Sequence, residues 1–414
     1  MSYIGVVDCN NFFVSCERLF RPDLHNKPVL VLSSNDGCVV ARSQEVKDIG
    51  IAMGVPYFKV KDILKDNDVT MFSSHFALYR DISRRVFEVL QEELDTVEQY
   101  SVDEAFFGIG KNENLLEVAR RIKDTIEKRV GIPVSVGISD SKTKAKYAVE
   151  LAKKDTGIKI LEKEEWKNIS ATLALSALWG VGKQSTVKYR EAGYETVGDL
   201  LQADSSRIAK LFGVVGTRLL AELNGEVAYP LGQHHEEQKS IMSSRSFKEN
   251  TENISVLADA VAYHARHIGS ELRKKKLSAS LVRVSIQPSR HGDFVLQGST
   301  SAEFFDTPTN DTLCLVKVVN KLLNNSFKPN VPYKKVGVSV SGLVPETQVQ
   351  PNLFTDESSN KNNVLMRVID TVNKSGKEIL TIGDFHYGDK WKSRKDMVSP
   401  AYTTKWTDVV KVSA

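Results

Sequence analysis

"YSVDEAFFGIG", Tyr100–Gly110, sets Asp103 and Glu104 side by side in a stretch that is otherwise apolar or small. As a β-strand it would send alternate residues to opposite faces of a sheet, with Val102 toward a core and Ser101, Asp103 and Ala105 on the other side. Unpaired carboxylates are costly in such a place. A hairpin turn, where Asp is common, is the competing reading. The start of the chain repeats the pattern: "YIGVVDCNNFFVSCERLF", Tyr3–Phe20, opens with the β-formers Tyr3, Ile4, Val6 and Val7, reaches Asp8, and then takes helical spacing through Phe12, Cys16 and Phe20. Two apolar strands that deliver acids to a common edge suit a hard divalent cation, which prefers carboxylate and carbonyl oxygens and also binds phosphates. Asp8, Asp103 and Glu104 are therefore a candidate metal cluster. A helix N-cap at Asp8 and a turn at Asp103 would explain each acid alone, but not why both fall beside core strands.

A chain of 414 residues, 41% of them hydrophobic, can bury substantial cores, and the expectation is roughly two to four domains. No charged-then-apolar leader opens the sequence and no apolar run reaches membrane-span length, which predicts a soluble cytoplasmic protein. Cys9, Cys16, Cys38 and Cys314 show no CxxC spacing, so they read as reduced core or site-lining residues and zinc is not expected. His264 and His267 lie three apart without a nearby Cys or acid partner, which predicts solvated or phosphate-facing side chains. Residues 239–414 carry 25 Lys and Arg against 17 Asp and Glu, a balance of +8, and residues 1–238 carry 31 against 35, a balance of −4. "RKKK", Arg273–Lys276, precedes the strand-like "LSASLVRVSIQPSR", a pattern suited to a β-surface that follows a phosphate backbone. A solvated lysine run is the plainer reading.

Along the chain, "KPVLVLSSNDGCVVARSQEVKDIGI" predicts two short strands around an Asn-Asp-Gly turn, then a helix from about Ser43. After the Asp103–Glu104 stretch come an amphipathic helix from about Asn114 to Arg129, the strand "PVSVGIS" and the lysine-rich helix "SKTKAKYAVELAKK". Strand, helix, strands, helix, strand is a ferredoxin-like order. "LSALWGVGKQSTVKYREAG" places Gly180 and Gly182 between helical patterns with Lys183 just after, and "LFGVVGTRLLAELNG" echoes it. Such helix hairpins bring backbone N–H groups close to phosphates without reading sequence. From Lys239 to Leu343 a separate α+β domain is predicted, with strands around Ser278–Gln287, Val295–Ser299 and Lys335–Ser341. The polar "VPETQVQPNLFTDESSNKNN" that follows reads as a mobile linker holding an apolar Leu353-Phe354 pair.

"VDCNNFFVSCE", "SSNDGCVVARSQEVKDIGI", "YSVDEAFF" and "ALWGVGK", in this order, resemble the Y-family translesion DNA polymerases. "FRPDL", "KPVLVLSSNDGCVVAR", "SSRSF" and "SPAYTT" extend the resemblance over nearly the whole chain, toward the UmuC subfamily of catalytic subunits. The resemblance implies an α+β right hand: a ferredoxin-like palm (1–20 and 77–165), small fingers (21–76), a helix-hairpin-helix thumb (166–238), an α+β little finger (239–344) and a C-terminal clamp-binding linker and tail (345–414). It implies error-prone, template-directed synthesis past damaged bases in the bacterial SOS response, without proofreading. Asp8, Asp103, Glu104 and the Cys9 carbonyl would hold two magnesium ions, as at other two-metal polymerase sites. It puts Phe12 and Phe13 at the nucleotide, Phe13 as an aromatic gate against the 2′-hydroxyl, and Lys47 and Lys154 at the triphosphate. Many relatives have Arg at the position of Lys47 and Tyr at that of Gln44. "QPNLF" resembles the bacterial sliding-clamp motif through Gln350, Leu353 and Phe354, with Pro351 where Leu is usual. Primer-template DNA, deoxynucleoside triphosphates, a sliding clamp, a UmuD-type accessory subunit and a recombinase filament are the implied partners. A nucleotidyl cyclase would share the palm acids without needing the hairpins and basic outer domain, and a noncatalytic damage-binding scaffold would need those but not the acids.

Overall fold

The structure is a computed structural model that describes residues 3–232, 238–289, 297–350, 358–373, 380–383 and 395–410. The chain forms two compact units, residues 1–235 with 396–414, and residues 236–395.

In the first unit β1 (Tyr3–Cys9) is followed by β2 (Val29–Leu32), β3 (Val39–Arg42) and β4 (Thr70–Ser73), then by β5 (Val97–Gln99), β6 (Glu104–Ile109), β7 (Val134–Ser139) and β8 (Ile158–Ile160). One sheet has the order β5-β6-β1-β7-β8. With the helices Phe76–Glu93 before β5 and Leu115–Val130 before β7, the neighbours β7-β1-β6-β5 pair antiparallel throughout, which is the ferredoxin-like order the sequence predicts. β8 joins parallel to β7 across the helix Lys142–Ala152. Because helices cover both sides of β7, all six of its residues are buried and no polar alternation is visible. Gly137 makes that packing possible, since a Cβ there would lie 2.7 Å from the carbonyl oxygen of Ala145 in the covering helix. The Leu115–Val130 helix buries Val118, Ala119, Ile122, Ile126 and Val130, starts at an Asn114 side-chain cap and stops at Gly131 in the left-handed region.

A small sheet, β3-β2-β4, carries its own core of Leu30, Leu32, Val39, Val46, Ile51, Val60, Leu64 and Val69. Its helix Gln44–Asp48 is capped by the Ser43 hydroxyl, as expected. Helices then run through residues 163–223. The first glycine hairpin begins from the short 3-10 turn Leu175–Ala177 rather than a full helix, and Gly182 caps the helix Lys183–Glu191. Gly213, at φ 60° and ψ −155°, breaks Ser205–Leu223 into the second hairpin, a conformation open to glycine and strained for other residues. Glu222 ties these helices to the large sheet's layer: its buried carboxylate accepts the backbone N–H groups of Thr143, Ala228 and Tyr229 at 2.9, 2.9 and 3.1 Å.

The second unit contains β9 (Ser240–Thr251), β10 (Leu277–Pro288), β11 (Ser299–Thr309) and β12 (Tyr333–Pro345), an antiparallel sheet of order β11-β10-β12-β9. Helices Ile254–Lys274 and Thr312–Ser326 pack on it around Val261, Ile268, Val282, Val284, Leu315 and Val338. Of the strand expected at Val295–Ser299, Val295 and Leu296 lie outside the described residues, and β11 runs on from Ser299 to Thr309. His264 is not solvated: it is buried with Nδ1 2.8 Å from the Ser243 hydroxyl, and burial pushes its pKa down to about 3, so it is a neutral core residue. The polar stretch read as linker ends inside a helix, Ser358–Asn373, whose Met366 is buried and whose Asp370 pairs with Arg273. Of the clamp residues Gln350 is exposed, while Leu353 and Phe354 lie outside the described residues.

Candidate active site

Asp8 and Glu104 are direct cross-strand partners at the end of the β1–β6 ladder. Both expectations for the Asp103–Glu104 pair hold in part. Glu104 opens β6, and Asp103 sits in the connection from β5, where the N–H groups of Tyr100 and Ser101 donate to the Glu104 carbonyl at 3.0 and 3.1 Å. Val102 packs against the core as predicted. Asp103 is joined to β1 through its backbone, its carbonyl accepting the Cys9 N–H at 2.9 Å, and its carboxylate accepts the Ser101 hydroxyl at 2.6 Å. The sheet thus delivers the three acids to one edge.

Two lysines absent from the sequence reading complete the cluster. Lys153 Nζ donates to Asp8 Oδ2 at 2.8 Å and to Glu150 at 2.7 Å, and Lys146 donates to Glu104. The signal for them was the recurrence of Lys146, Glu150 and Lys153 at helical intervals. Burial, with a hydrogen bond that the Asp8 carboxyl donates to Glu104, raises the Asp8 pKa to about 7 against the opposing charge of Lys153. Glu104 is held below the usual carboxylate range despite its own burial, by Asp8 and Lys146. The pair therefore keeps a proton on Asp8 near neutral pH. Among the described residues no three acid, histidine or cysteine side chains close together as a metal-binding group; Lys153 and Lys146 pair with Asp8 and Glu104.

The remaining predicted residues divide. Cys9 is fully buried and burial drives its thiol pKa well up, so its sulfur is an inert core atom beside the acids. The Phe12 side chain is 3% exposed and packs in the main core. Phe13 is half-buried and stacks on Tyr79 at 4.4 Å and 13°, with Phe76 edge-on at 5.9 Å. Lys47 and Lys154 are exposed, and desolvation together with Arg42 and Lys153 lowers the Lys47 pKa. A Cβ at Gly180 or Gly182 would meet nothing within 4 Å, so the hairpin and the N-terminus of the Lys183 helix are open to a ligand. Lys274, Lys275 and Lys276 are exposed. Arg273 departs from the expectation: both arms of its guanidinium bond Asp370 at 2.7 Å, and Nη1 also reaches the Asn310 carbonyl and the Thr312 hydroxyl. Its charge is engaged within the second unit.

The impB/mucB/samB family model matches residues 7–150, its C-terminal domain matches 238–353, and a domain of unknown function (DUF4113) matches 363–412. The chain is 34% identical to Protein UmuC of Salmonella typhimurium over 99% of both chains, and 33% identical to Protein ImpB of the same organism over 98% of both. The chain belongs to the UmuC/ImpB/MucB family. These are Y-family translesion DNA polymerases, and the chain is a DNA-directed DNA polymerase. DNA polymerase IV 1 of Bacillus subtilis is 27% identical over 89% of both chains. The fold matches a Y-family polymerase chimera of Dbh and Dpo4 with TM-score 0.69 at 20% identity, covering 83% of this chain and 99% of that one. The insertion ternary complex of Dbh DNA polymerase matches with TM-score 0.57 at 21% identity, over 83% and 99% of the two chains.

Proposed function

We propose that this polymerase extends primers past damaged template bases by two-metal nucleotidyl transfer, with Asp8, Asp103, Glu104 and the Cys9 carbonyl as ligands of two magnesium ions. The observation that carries this reading is the facing of Asp8 and Glu104 across the β1–β6 ladder, with Asp103 tied by its backbone to Cys9. The donor set fits a hard cation: the groups are oxygens, and Asp8 stays protonated to about pH 7 when only lysines balance it. When bound, the ions would lower the pKa of the primer 3′-hydroxyl and stabilise charge on the triphosphate and leaving pyrophosphate. Asp8 must release its proton before it can act as a ligand. A cation at Asp8 would replace Lys153 as its partner and leave that ammonium able to turn toward the triphosphate with Lys47 and Lys154. Phe13, backed by Tyr79 and Phe76, would pack against the sugar and exclude a 2′-hydroxyl.

The palm, fingers, thumb, little finger and tail follow the boundaries given above. The open hairpin at Gly180, Gly182 and Lys183, and Lys274, Lys275 and Lys276 on the second unit, would hold primer-template DNA through its phosphates. Gln350, Leu353 and Phe354 would engage a sliding clamp, and a UmuD-type subunit and a recombinase filament would be the other partners, in the cytoplasm during the SOS response. No described helix is long and apolar enough to cross a membrane. Synthesis without proofreading is part of the same reading. The test is primer extension beside a DNA-binding assay: Asp103→Ala should lose extension by at least about a hundredfold while still binding primer-template. Extension by the variant at the normal rate would refute the metal assignment, and loss of both activities would point to misfolding at the hairpin.

A further inference from the structure

Glu17 is a fully buried carboxylate that the nucleotidyl-transfer site does not use. It lies on the same helix, Phe12–Phe20, as Phe13. Tyr79, equally buried, donates its hydroxyl to Glu17 Oε1 at 2.7 Å and presents its ring to Phe13 in a near-parallel stack. A buried carboxylate is expensive to desolvate, and here its visible work is to hold the ring under Phe13. The next layer comes from the far end of the chain. Ser399 is 6% exposed and lies beside Glu17, helping Tyr79 to oppose the rise in carboxyl pKa that burial imposes. The Ser399 hydroxyl is also 3.0 Å from Nδ1 of His75, the residue that precedes the helix carrying Phe76 and Tyr79. Tyr402 stacks on Phe20 at 4.6 Å and 8°, at the end of the Phe13 helix. Met397 exchanges hydrogen bonds with Ser73, just before His75. The C-terminal segment thus touches both helices from which the floor of the Phe13 site is built.

We propose that Glu17, Tyr79 and the tail segment around Ser399 and Tyr402 are positioning groups for Phe13, so that discrimination between deoxyribonucleotides and ribonucleotides depends on the C-terminal tail. The proposal rests on the reading of Phe13 as the sugar gate. An aromatic wall excludes one oxygen atom only while its ring is held to within about 0.5 Å, and removing its support lets the ring yield to the larger sugar. Tyr79→Phe keeps the stacked ring and removes its hydrogen bond; Ser399→Ala combined with Tyr402→Ala removes the tail's contacts. The readout is the ratio of kcat/KM for a deoxynucleotide to that for the matching ribonucleotide, in single insertions by the full chain on undamaged primer-template.

Both variants should lower that ratio about tenfold, the scale of a small steric mismatch in a pocket, chiefly by accepting the ribonucleotide better. Glu17→Gln, which still offers Tyr79 an acceptor oxygen, should keep the ratio. A role confined to stability would depress both nucleotides together and leave the ratio where it was. If the double tail variant does not fold, Ser399→Ala alone, the loss of one oxygen, decides the tail's part. An unchanged ratio in Tyr79→Phe or in the tail variant, while Phe13→Ala loses discrimination, overturns this proposal and leaves the gate standing. An unchanged ratio in Phe13→Ala removes the gate and the proposal with it.

Discussion

Asp8 holds its proton up to about pH 7 because burial and a hydrogen bond shared with Glu104 outweigh the pull of Lys153. Its pKa lies near 7 in the folded chain against an ordinary 3.8, so the folded state binds the proton more tightly than the unfolded state does. The stability this preference supplies is complete below about pH 4 and is lost as pH rises through 7. Metal-free protein should therefore melt at lower temperature at pH 8 than at pH 5, by about 2–4 °C for each kcal/mol involved. Added magnesium should restore the melting temperature at pH 8 and do little at pH 5, where the proton competes with it. Asp8→Asn should flatten both dependences, and a magnesium shift that survives in Asp8→Asn would place the ion elsewhere. The acids of this site were legible in the sequence because polar residues among strand-forming ones are conspicuous. Lys146 and Lys153 were not: helical recurrence tells which side chains share a face, not which acids that face will meet.

At the scale of elements, the close approach of the Lys142–Ala152 helix to β7 fixes how the lysine-bearing face meets the acid-bearing edge. Gly137→Ala would drive a methyl group into backbone atoms of Ala145, Ala148 and Val149, none of which can move aside as a side-chain tip would. The expected cost is about 1–3 kcal/mol or more, read as a lower urea midpoint with unchanged slope; a midpoint equal to that of the parent would mean that the helix shifts freely. Elements with strong local signals emerged as read, among them the Asn114-capped helix and the Ser43-capped one. The helix Ser358–Asn373 was hidden because its first turns are polar and its attachment is made by Met366, Asp370 and Asn362 to residues distant in sequence. The run of β11 beyond Ser299 was hidden for a related reason, since its alternation is shallow and shows only once β10 lies beside it.

Over the whole molecule the charge divides between an acidic first part and a basic second part. If Lys274, Lys275 and Lys276 each neutralise a phosphate, replacing all three with Ala should weaken DNA binding with little regard to sequence. The slope of log affinity against log salt should become shallower by up to about 3. Arg273→Ala should behave differently: it should lower the melting temperature of the second unit and leave the salt slope unchanged, because its charge is spent on Asp370. Equal salt slopes for the triple variant and its parent would move the DNA surface elsewhere, for instance to the open face of the sheet around Arg283.

The acids at the edge of the large sheet, its strand and helix order and the basic character of the second unit could all be read from residue types and spacing. Each depends on neighbours along the chain or on composition. Tertiary structure alone assigned Lys153 to Asp8, turned Arg273 inward, sank Phe12 and His264 into cores, and laid Ser399 against His75, 324 positions away. Local periodicity defines what a face carries, but which faces meet is settled by packing and hydrogen-bond satisfaction across the fold. The cost of closing a loop grows only slowly with its length, so distance along the sequence says little about which partner is found.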